Sequence, residues 1–578
     1  MAATMGKARA LQKLLGDQAR AAGPDAHVWL SASAGTGKTH VLTARVFRLL
    51  LQGVRPENIL CLTFTKAGAA EMADRIHDRL AAWVQMDGPA LAADLMALGE
   101  DHGPQMQDHA RRLFAEVLES TGGLRIQTIH GFCQQLLTAF PLEAELAPGF
   151  RPLDQREQSA LARQTLADVV VRAQEEGDDP LMTALQSLSL RLGEGGAEAF
   201  LMRCAARGEA LGGLPAHIAP WIAAELGLPD GDVDQWLADQ CRDDIFDMRA
   251  LDWIVRANAD WGKGRGLERC DRIAAWRALD PAGRAAGLIE LHRAWAKADG
   301  DIIDARGWVP PIDGYGEMAA RLHSRCGELI ALKLRADYAA LLAQALHAGR
   351  AYAREYAAAK RLAGAVDFDD LIARTAALLE QPGIAEWIRY KLDQRIDHIL
   401  VDEAQDTNAA QWRIVRTLAE EFFSGAGAKG DKVRTVFTVG DFKQAIFGFQ
   451  GTSPQNFAAA QLLFQRDAMD AGHDFHSLSL DRSFRSTPAV LDVVDRTIAT
   501  LRAERLGLEA GEVHHDSANR HPGEVTLWKP VVANMTEDAD GEEDWADDQE
   551  RVLAQRIARQ IKQWIDNGVM LESRGRPV

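Results

Sequence analysis

The strongest constraint on what this chain can fold into lies near its start, in Val28-Trp-Leu-Ser-Ala-Ser-Ala-Gly-Thr-Gly-Lys-Thr39. An apolar, strand-like run from Val28 to Leu30 enters a loop of small residues that closes on Gly37, Lys38 and Thr39. A helical apolar pattern follows at Val41, Leu42, Val46, Leu49 and Leu50. Strand, small-residue loop and helix in that order make a phosphate-binding loop. With no bulky side chains in the way, the backbone N–H groups of Ala32, Ser33, Ala34, Gly35, Thr36 and Gly37 can curl around phosphate oxygens. Lys38 brings positive charge to the β- and γ-phosphates, Thr39 offers a hydroxyl to Mg2+, and the helix N-terminus favours the anion. Ala32 stands where the usual pattern begins with Gly. The stretch predicts ATP with Mg2+ as the ligand.

Totals narrow the class. A length of 578 residues implies more than one domain. The six cysteines are scattered without a CxxC pair, which argues for a reducing cytosol and against a structural zinc site. No apolar run approaches the ~20 residues that cross a bilayer, and the N-terminus lacks the apolar core of a signal peptide. The expected location is therefore cytoplasmic, with no membrane partner. A net charge of −18 argues by itself against nucleic acid, because neutralising phosphates takes Lys and Arg. The acids are uneven, however, with nine between Glu537 and Glu550. Any DNA contact must be a local groove.

The organisation changes twice along the chain. Residues 1–149 alternate strand and helix: strands over 58–65 and 124–130, helices over 66–83 and 132–140, and a polar loop near 98–108. That alternation predicts a parallel sheet covered by helices. Residues 150–363 lose strand signals and repeat Leu, Ala, Arg and Trp at helical spacing, as across 332–362. Strands return at 396–401, 433–439, 477–480 and 524–528, followed by an acidic loop and a helix over 550–565.

A phosphate loop needs a second strand that ends in carboxylates, and Ile399-Leu-Val-Asp402-Glu403 provides one. Asp402, at the C-terminal end of its strand, is expected to hold Mg2+ through water. Glu403 is expected to orient and activate the attacking water. The next strand ends in Val439-Gly-Asp441, and Gln444 just beyond offers an amide to the γ-phosphate or the water. Phe447 and Phe449 follow; their rings suit stacking on single-stranded bases or core packing. Phe64 and His130 carry the same ambiguity. Arg485, far along the chain, suits a γ-phosphate contact that stabilises charge in the transition state, or a plain surface position.

Taken together and in order, these residues resemble the UvrD/Rep-like superfamily 1A helicases. The matching segments are Gly35 to Thr39, Leu62 to Thr65 with Ala69 to Met72, Gln127 to Phe132, Asp367 to Ile372, Val401 to Asp406, Val439 to Gln444, and Phe484 to Ser486. The wording is most similar to AddA-type subunits of bacterial AddAB helicase–nucleases, a family in which starting the loop with Ala is common. Phe442, Ala445, Phe447 and Ser483 depart from the family's usual Pro, Ser, Tyr and Asn.

The resemblance implies an ATP-dependent 3′→5′ DNA helicase of double-strand-break repair, cytoplasmic and nucleoid-associated, with an AddB-like partner. It implies that Gln18 reads the adenine and that Phe64, Thr65, His130, Phe447 and Phe449 touch DNA. The fold it implies is α/β: a RecA-like P-loop NTPase sheet (domain 1A, residues 1–149 and 364–470), an all-helical insertion 1B (150–363), and the opening of a second RecA-like domain 2A (471–578). The family's second arginine finger and AddA's nuclease carboxylates find no match before Val578, so the expectation is an N-terminal portion of a longer helicase–nuclease, unable to unwind DNA alone. A non-catalytic ATP- and DNA-binding scaffold is the alternative, and the intact Lys38, Asp402, Glu403 and Gln444 argue against it.

Overall fold

A computed structural model describes residues 10–120, 122–304, 307–423, 432–445, 452–502, 515–532, 548–571 and 576–577. The chain forms two compact units, one made of Met1–Pro148 with Leu371–Val578 and the other of Gly149–Asp370.

The first unit begins with α1 (Asp17–Ala21), β1 (His27–Ala32), α2 (Lys38–Leu51), β2 (Ile59–Thr63), α3 (Lys66–Gln85), α4 (Gly88–Leu98), α5 (Pro104–Glu119), β3 (Arg125–Thr128) and α6 (Ile129–Ala139). The second unit contains α7 (Gln155–Glu176), α8 (Asp179–Ala205) and the 48-residue α9 (Tyr315–Leu362). Beyond α10 (Phe368–Glu380), the first unit resumes with β4 (His398–Val401), α11 (Ala409–Ala419), β5 (Thr435–Gly440), α12 (Pro454–Asp470), β6 (Phe475–Leu480) and α13 (Pro488–Leu501).

The six strands form one sheet in the order β3-β2-β4-β5-β1-β6, and every pairing is parallel. Nearly every residue of β1, β2, β4 and β5 is buried, which is why these strands read as continuous apolar runs. Side chains alternate across the sheet. Val28 and Leu30 face a core built from α2, α3 and α5, where Phe47 meets Trp83 at 5.1 Å between ring centroids. Trp29 faces the other way, 5.3 Å from the Trp412 ring of α11 and 4.8 Å from Phe457 of α12. Because all strands run the same way, their C-terminal ends share one edge, where open α/β sheets bind ligands.

Three expectations change within this unit. The loop expected over 98–108 shrinks to 99–103, because Gly99 ends α4 in the left-handed region and Pro104 opens α5. The strand expected at 524–528 has no ladder, and Leu527 is 96% exposed. The boundary expected at 470 also moves: β6 pairs with β1 along its whole length, with Leu478 and Leu480 turned into the first core, so the first sheet extends to Leu480.

Two buried polar residues tie the sheet to the chain around it. Arg45, wholly buried on α2, donates to the carbonyls of Ala21 (2.9 Å), Gly23 and Ala26 (2.7 Å), and to Thr435 Oγ1 (2.9 Å). His27 accepts the Val436 amide at Nδ1 (3.1 Å), which leaves its Nε2–H facing His473 Nδ1 at 3.3 Å. Burial, then His473, Arg45 and His398, push the His27 imidazole down to about 3. The unfolded chain takes up that proton near the ordinary value of about 6.5, so stability is lost as pH falls from about 6.5 towards 3. The expected contribution approaches ~1.4 kcal/mol per pH unit in that window. Urea unfolding at stepped pH should show it, and His27→Asn, whose amide oxygen replaces Nδ1, should flatten the slope.

In the second unit α9 is the spine. Its Tyr352 and Tyr356 stack at 5.9 Å and pack with Leu185, Leu188 and Leu201 of α8. A separate core gathers Leu251, Ile254, Ile273 and Trp276 around Tyr315, Leu322 and Leu329 of α9. Lys360 near the end of α9 is buried and pairs with Asp367 (2.7 Å) and Asp370 (2.6 Å). The unit is helical apart from a parallel pairing of Arg151–Pro152 with Ala365–Val366 and a single bridge between Ala296 and Ile302, a small correction to the all-helical expectation.

Candidate nucleotide site at the C-terminal edge of the sheet

The loop between β1 and α2 has the backbone that phosphate binding requires. Gly35 (φ 77°) and Gly37 (φ 95°) lie in the left-handed region, which favours glycine. Gly37 is the N-cap of α2 and supplies no side-chain acceptor, so the helix presents its first-turn N–H groups to an anion. Thr36 braces the turn by donating its hydroxyl to the Ser33 carbonyl at 2.8 Å. Gln18 on α1 donates to the Thr36 carbonyl at 3.3 Å, which places the expected adenine reader beside the loop.

The segment after β6 lies against the same loop. The Phe484 amide donates to the Gly35 carbonyl (2.8 Å), and Ser483 Oγ donates to the Ala34 carbonyl (3.2 Å). A Cβ at Gly35 would stand 2.5 Å from Cβ of Arg485, so only glycine permits this approach. Arg485 is exposed there, at the loop, as expected of a phosphate-contacting arginine.

Lys38 Nζ stands 3.3 Å from Glu403 Oε2. Asp402 is fixed by two bonds: its amide donates to the Leu62 carbonyl of β2 (2.9 Å), and its Oδ1 accepts the Glu403 amide (3.0 Å). Burial, then the neighbouring Glu403, push the Asp402 carboxyl up to about 6. The same two causes push Asp406 up to about 6, and its Oδ1 is a buried atom without a hydrogen-bond partner. Glu403 itself sits at φ 49°, a left-handed backbone at a non-glycine residue. Such a conformation costs on the order of 1–3 kcal/mol and persists only where surrounding structure imposes it.

Carboxyls pushed towards protonation are short of positive charge, and this donor set fits Mg2+. Among the described residues no cluster of three or more His, Cys, Asp or Glu is placed to cage a metal. One carboxylate (Asp402) with one hydroxyl (Thr39) suits an ion that keeps waters and takes its other ligands from phosphate.

Gln444 donates Nε2 to Asp441 Oδ2 at 2.7 Å, so its amide is held against the loop after β5. Two neighbours of the site carry no role in the sequence reading. Gln405 Nε2 donates to Glu403 Oε2 (2.7 Å) while its Oε1 accepts the Asp441 amide (2.9 Å), bridging the ends of β4 and β5. Gly440 admits it: a Cβ there would lie 2.8 Å from Gln405 Oε1. Lys443 reaches back to the phosphate loop, with Nζ 2.8 Å from Ser33 Oγ. Their only signal in the sequence was proximity to Glu403 and Gln444.

The residues expected at DNA divide. Phe64 and Thr65 follow β2, and His130 follows β3, on the same edge as the nucleotide residues but on the β3-β2 side of β4. Phe64 and His130 are half-buried, and Thr65 caps α3 by accepting the Gly68 amide at 2.9 Å. Burial lowers the His130 imidazole below its ordinary value. Phe447 and Phe449 lie outside the described residues.

The sequence profile of the UvrD/REP helicase N-terminal domain matches residues 16–465, which span α1, the phosphate loop, the helical unit and the ends of β4 and β5. The chain belongs to the UvrD/REP helicase family. Among curated UvrD/REP-type relatives, an ATP-dependent helicase/nuclease subunit of Pelotomaculum thermopropionicum is 27% identical over 500 residues, covering 81% of this chain and 37% of the relative. The protein of the same name from Bacillus licheniformis is 24% identical, covering 93% and 44%, and that from Desulforamulus reducens 25%, covering 93% and 45%. The chain thus spans less than half the length of these relatives. No helix among its described residues is long and apolar enough to cross a membrane.

Proposed function

We propose that this UvrD/REP-family chain is the ATP-hydrolysing part of a 3′→5′ DNA translocase, the helicase subunit of a double-strand-break repair helicase–nuclease. The observation that carries the reading is the convergence of Lys38, Glu403, Gln405 and Lys443 where β1, β4 and β5 end. Lys38 exchanges Glu403 for the β- and γ-phosphates when nucleotide binds. Asp402 and Thr39 hold Mg2+, which supplies charge neutralisation to the phosphates. Glu403 orients the attacking water and accepts its proton. Gln444 and Arg485 face the γ-phosphate end of the site.

The hydrogen bond from Asp402 to Leu62 supports coupling, because Phe64 lies two residues beyond Leu62. A shift at the Mg2+ carboxylate on β4 is passed to the end of β2, where a base would stack. The names of the relatives support a working protein that pairs with an AddB-like partner and carries exonuclease activity. Single-stranded DNA is expected to raise the ATP hydrolysis rate of the complete gene product, and Lys38→Ala to abolish hydrolysis while DNA affinity stays within about twofold. Hydrolysis indifferent to single strands overturns the DNA reading; hydrolysis surviving Lys38→Ala overturns the nucleotide site.

A further inference from the structure

Lys443 is held by a chain of side chains that the ATPase reading does not use. Its amide is anchored to Asp441 Oδ1 at 3.1 Å, and its Nζ lies 2.8 Å from Ser33 Oγ and 2.9 Å from His515 Nε2. His515 Nδ1 in turn meets Asp495 Oδ1, and the His515 amide donates to Asp495 Oδ2 at 3.1 Å. The His515 and Asp495 side chains are only 8% and 18% exposed. An ammonium can only donate, so His515 Nε2 accepts from Lys443 and Nδ1–H donates to Asp495. The carboxylate on α13 thereby fixes the imidazole, and the imidazole fixes the ammonium.

We propose that Lys443 is a second lysine for the nucleotide, binding its terminal phosphate, and that His515 and Asp495 are positioning residues that hold it at the rim of the phosphate loop. The inference rests on the ATP reading above. Three observations carry it. Ser33 is buried in the loop itself, one residue past β1, so the ammonium is seated at the loop rather than near it. β5 lies beside β1 with Gly440 opposite Ser31, and Lys443 follows in the same turn as Gln444. Ser33 and His515 are neutral acceptors and leave the ammonium its charge for an anion, whereas Lys38 faces a carboxylate.

Lys38 serves di- and triphosphates alike, because it reaches the β-phosphate. Lys443, on the β5 side with Gln444, discriminates between them. His515 and Asp495 come from the chain beyond β6, so recognition of the terminal phosphate also depends on where that segment sits.

The test is the ratio of ATPγS to ADP affinity with Mg2+, measured by calorimetry on the complete gene product. Lys443→Met is expected to weaken ATPγS by about tenfold or more, the worth of a charged hydrogen bond, and ADP by no more than about twofold. His515→Ala should lower the ratio several-fold, and His515→Gln, which keeps an acceptor, should restore part of it. Equal losses for both nucleotides would mean that Lys443 merely braces Ser33, and unchanged affinities would remove it from the phosphate; either overturns the proposal. An unchanged ratio in His515→Ala overturns the positioning role. Lys443→Gln repeats the test if the Met variant unfolds. Undiminished nucleotide binding in Lys38→Ala would instead defeat the nucleotide site itself, a result separable from all of these.

Discussion

Glu403→Gln is expected to lower ATP turnover by about two to four orders of magnitude, the usual contribution of a positioned general base, without weakening nucleotide binding. The amide keeps the shape of the side chain but cannot accept the proton of the attacking water. Two effects push affinity the other way. Glu403 lies 3.3 Å from Lys38 and competes with phosphate for it, so its neutralisation frees Lys38 for the nucleotide. Glu403 is also the second-largest cause that raises Asp402 to about 6. Without its charge Asp402 ionises at lower pH, and Mg2+–nucleotide binding should persist further into mild acid than in the unsubstituted protein. The expected phenotype is a protein that traps ATP: phosphate release nearly lost, the dissociation constant unchanged or smaller. Phosphate release reduced less than about tenfold would remove Glu403 as the base.

Most of this site was legible in the sequence because a parallel sheet converts local signals into a common location. Each motif reads as an apolar run followed by chemistry, and once the strands are parallel every such ending falls on one edge. Lys38, Asp402, Glu403, Gln444 and Arg485 could be brought together that way without any knowledge of strand order. Residues that act across strands were not legible. Gln405 matters because β4 and β5 are neighbours and Gly440 lets its amide through, and nothing in one strand's pattern states its neighbour. The relay from Lys443 to Asp495 spans 52 positions, from Asp495 back to Lys443. β6 was placed on the wrong side of a domain boundary because its alternating pattern, with only Leu478 and Leu480 buried, marks an edge strand and not a domain end. Arg45, reading only as one more charge in an apolar helix, gave no sign that it would be buried.

Arg45 is where the largest loss of stability is expected. Burial pushes its guanidinium down to about 9, and among its contacts are three backbone carbonyls and one hydroxyl, with the Phe437 ring 5.2 Å from Cζ. The three carbonyls, of Ala21, Gly23 and Ala26, belong to the turn between α1 and β1. Arg45→Met retains most of the volume and removes every donor. Each carbonyl left unpaired in the interior costs roughly 1–3 kcal/mol, less what water entry recovers. A net loss on the order of 3–5 kcal/mol follows, and for a chain of this size a fall in melting temperature of roughly 10 °C. Arg45→Lys should fall between, since one ammonium cannot span both ends of the fork. The defect should also reach function, because the turn that Arg45 holds begins at the end of α1, whose Gln18 contacts the phosphate loop at Thr36. With that turn released, discrimination between ATP and GTP should narrow at temperatures where the protein is still folded, while Lys38-dependent binding of the phosphates persists. A melting temperature within about 3 °C of the parent would mean that water or a rearranged turn satisfies the carbonyls, and that Arg45 is not the tether between α1 and the sheet.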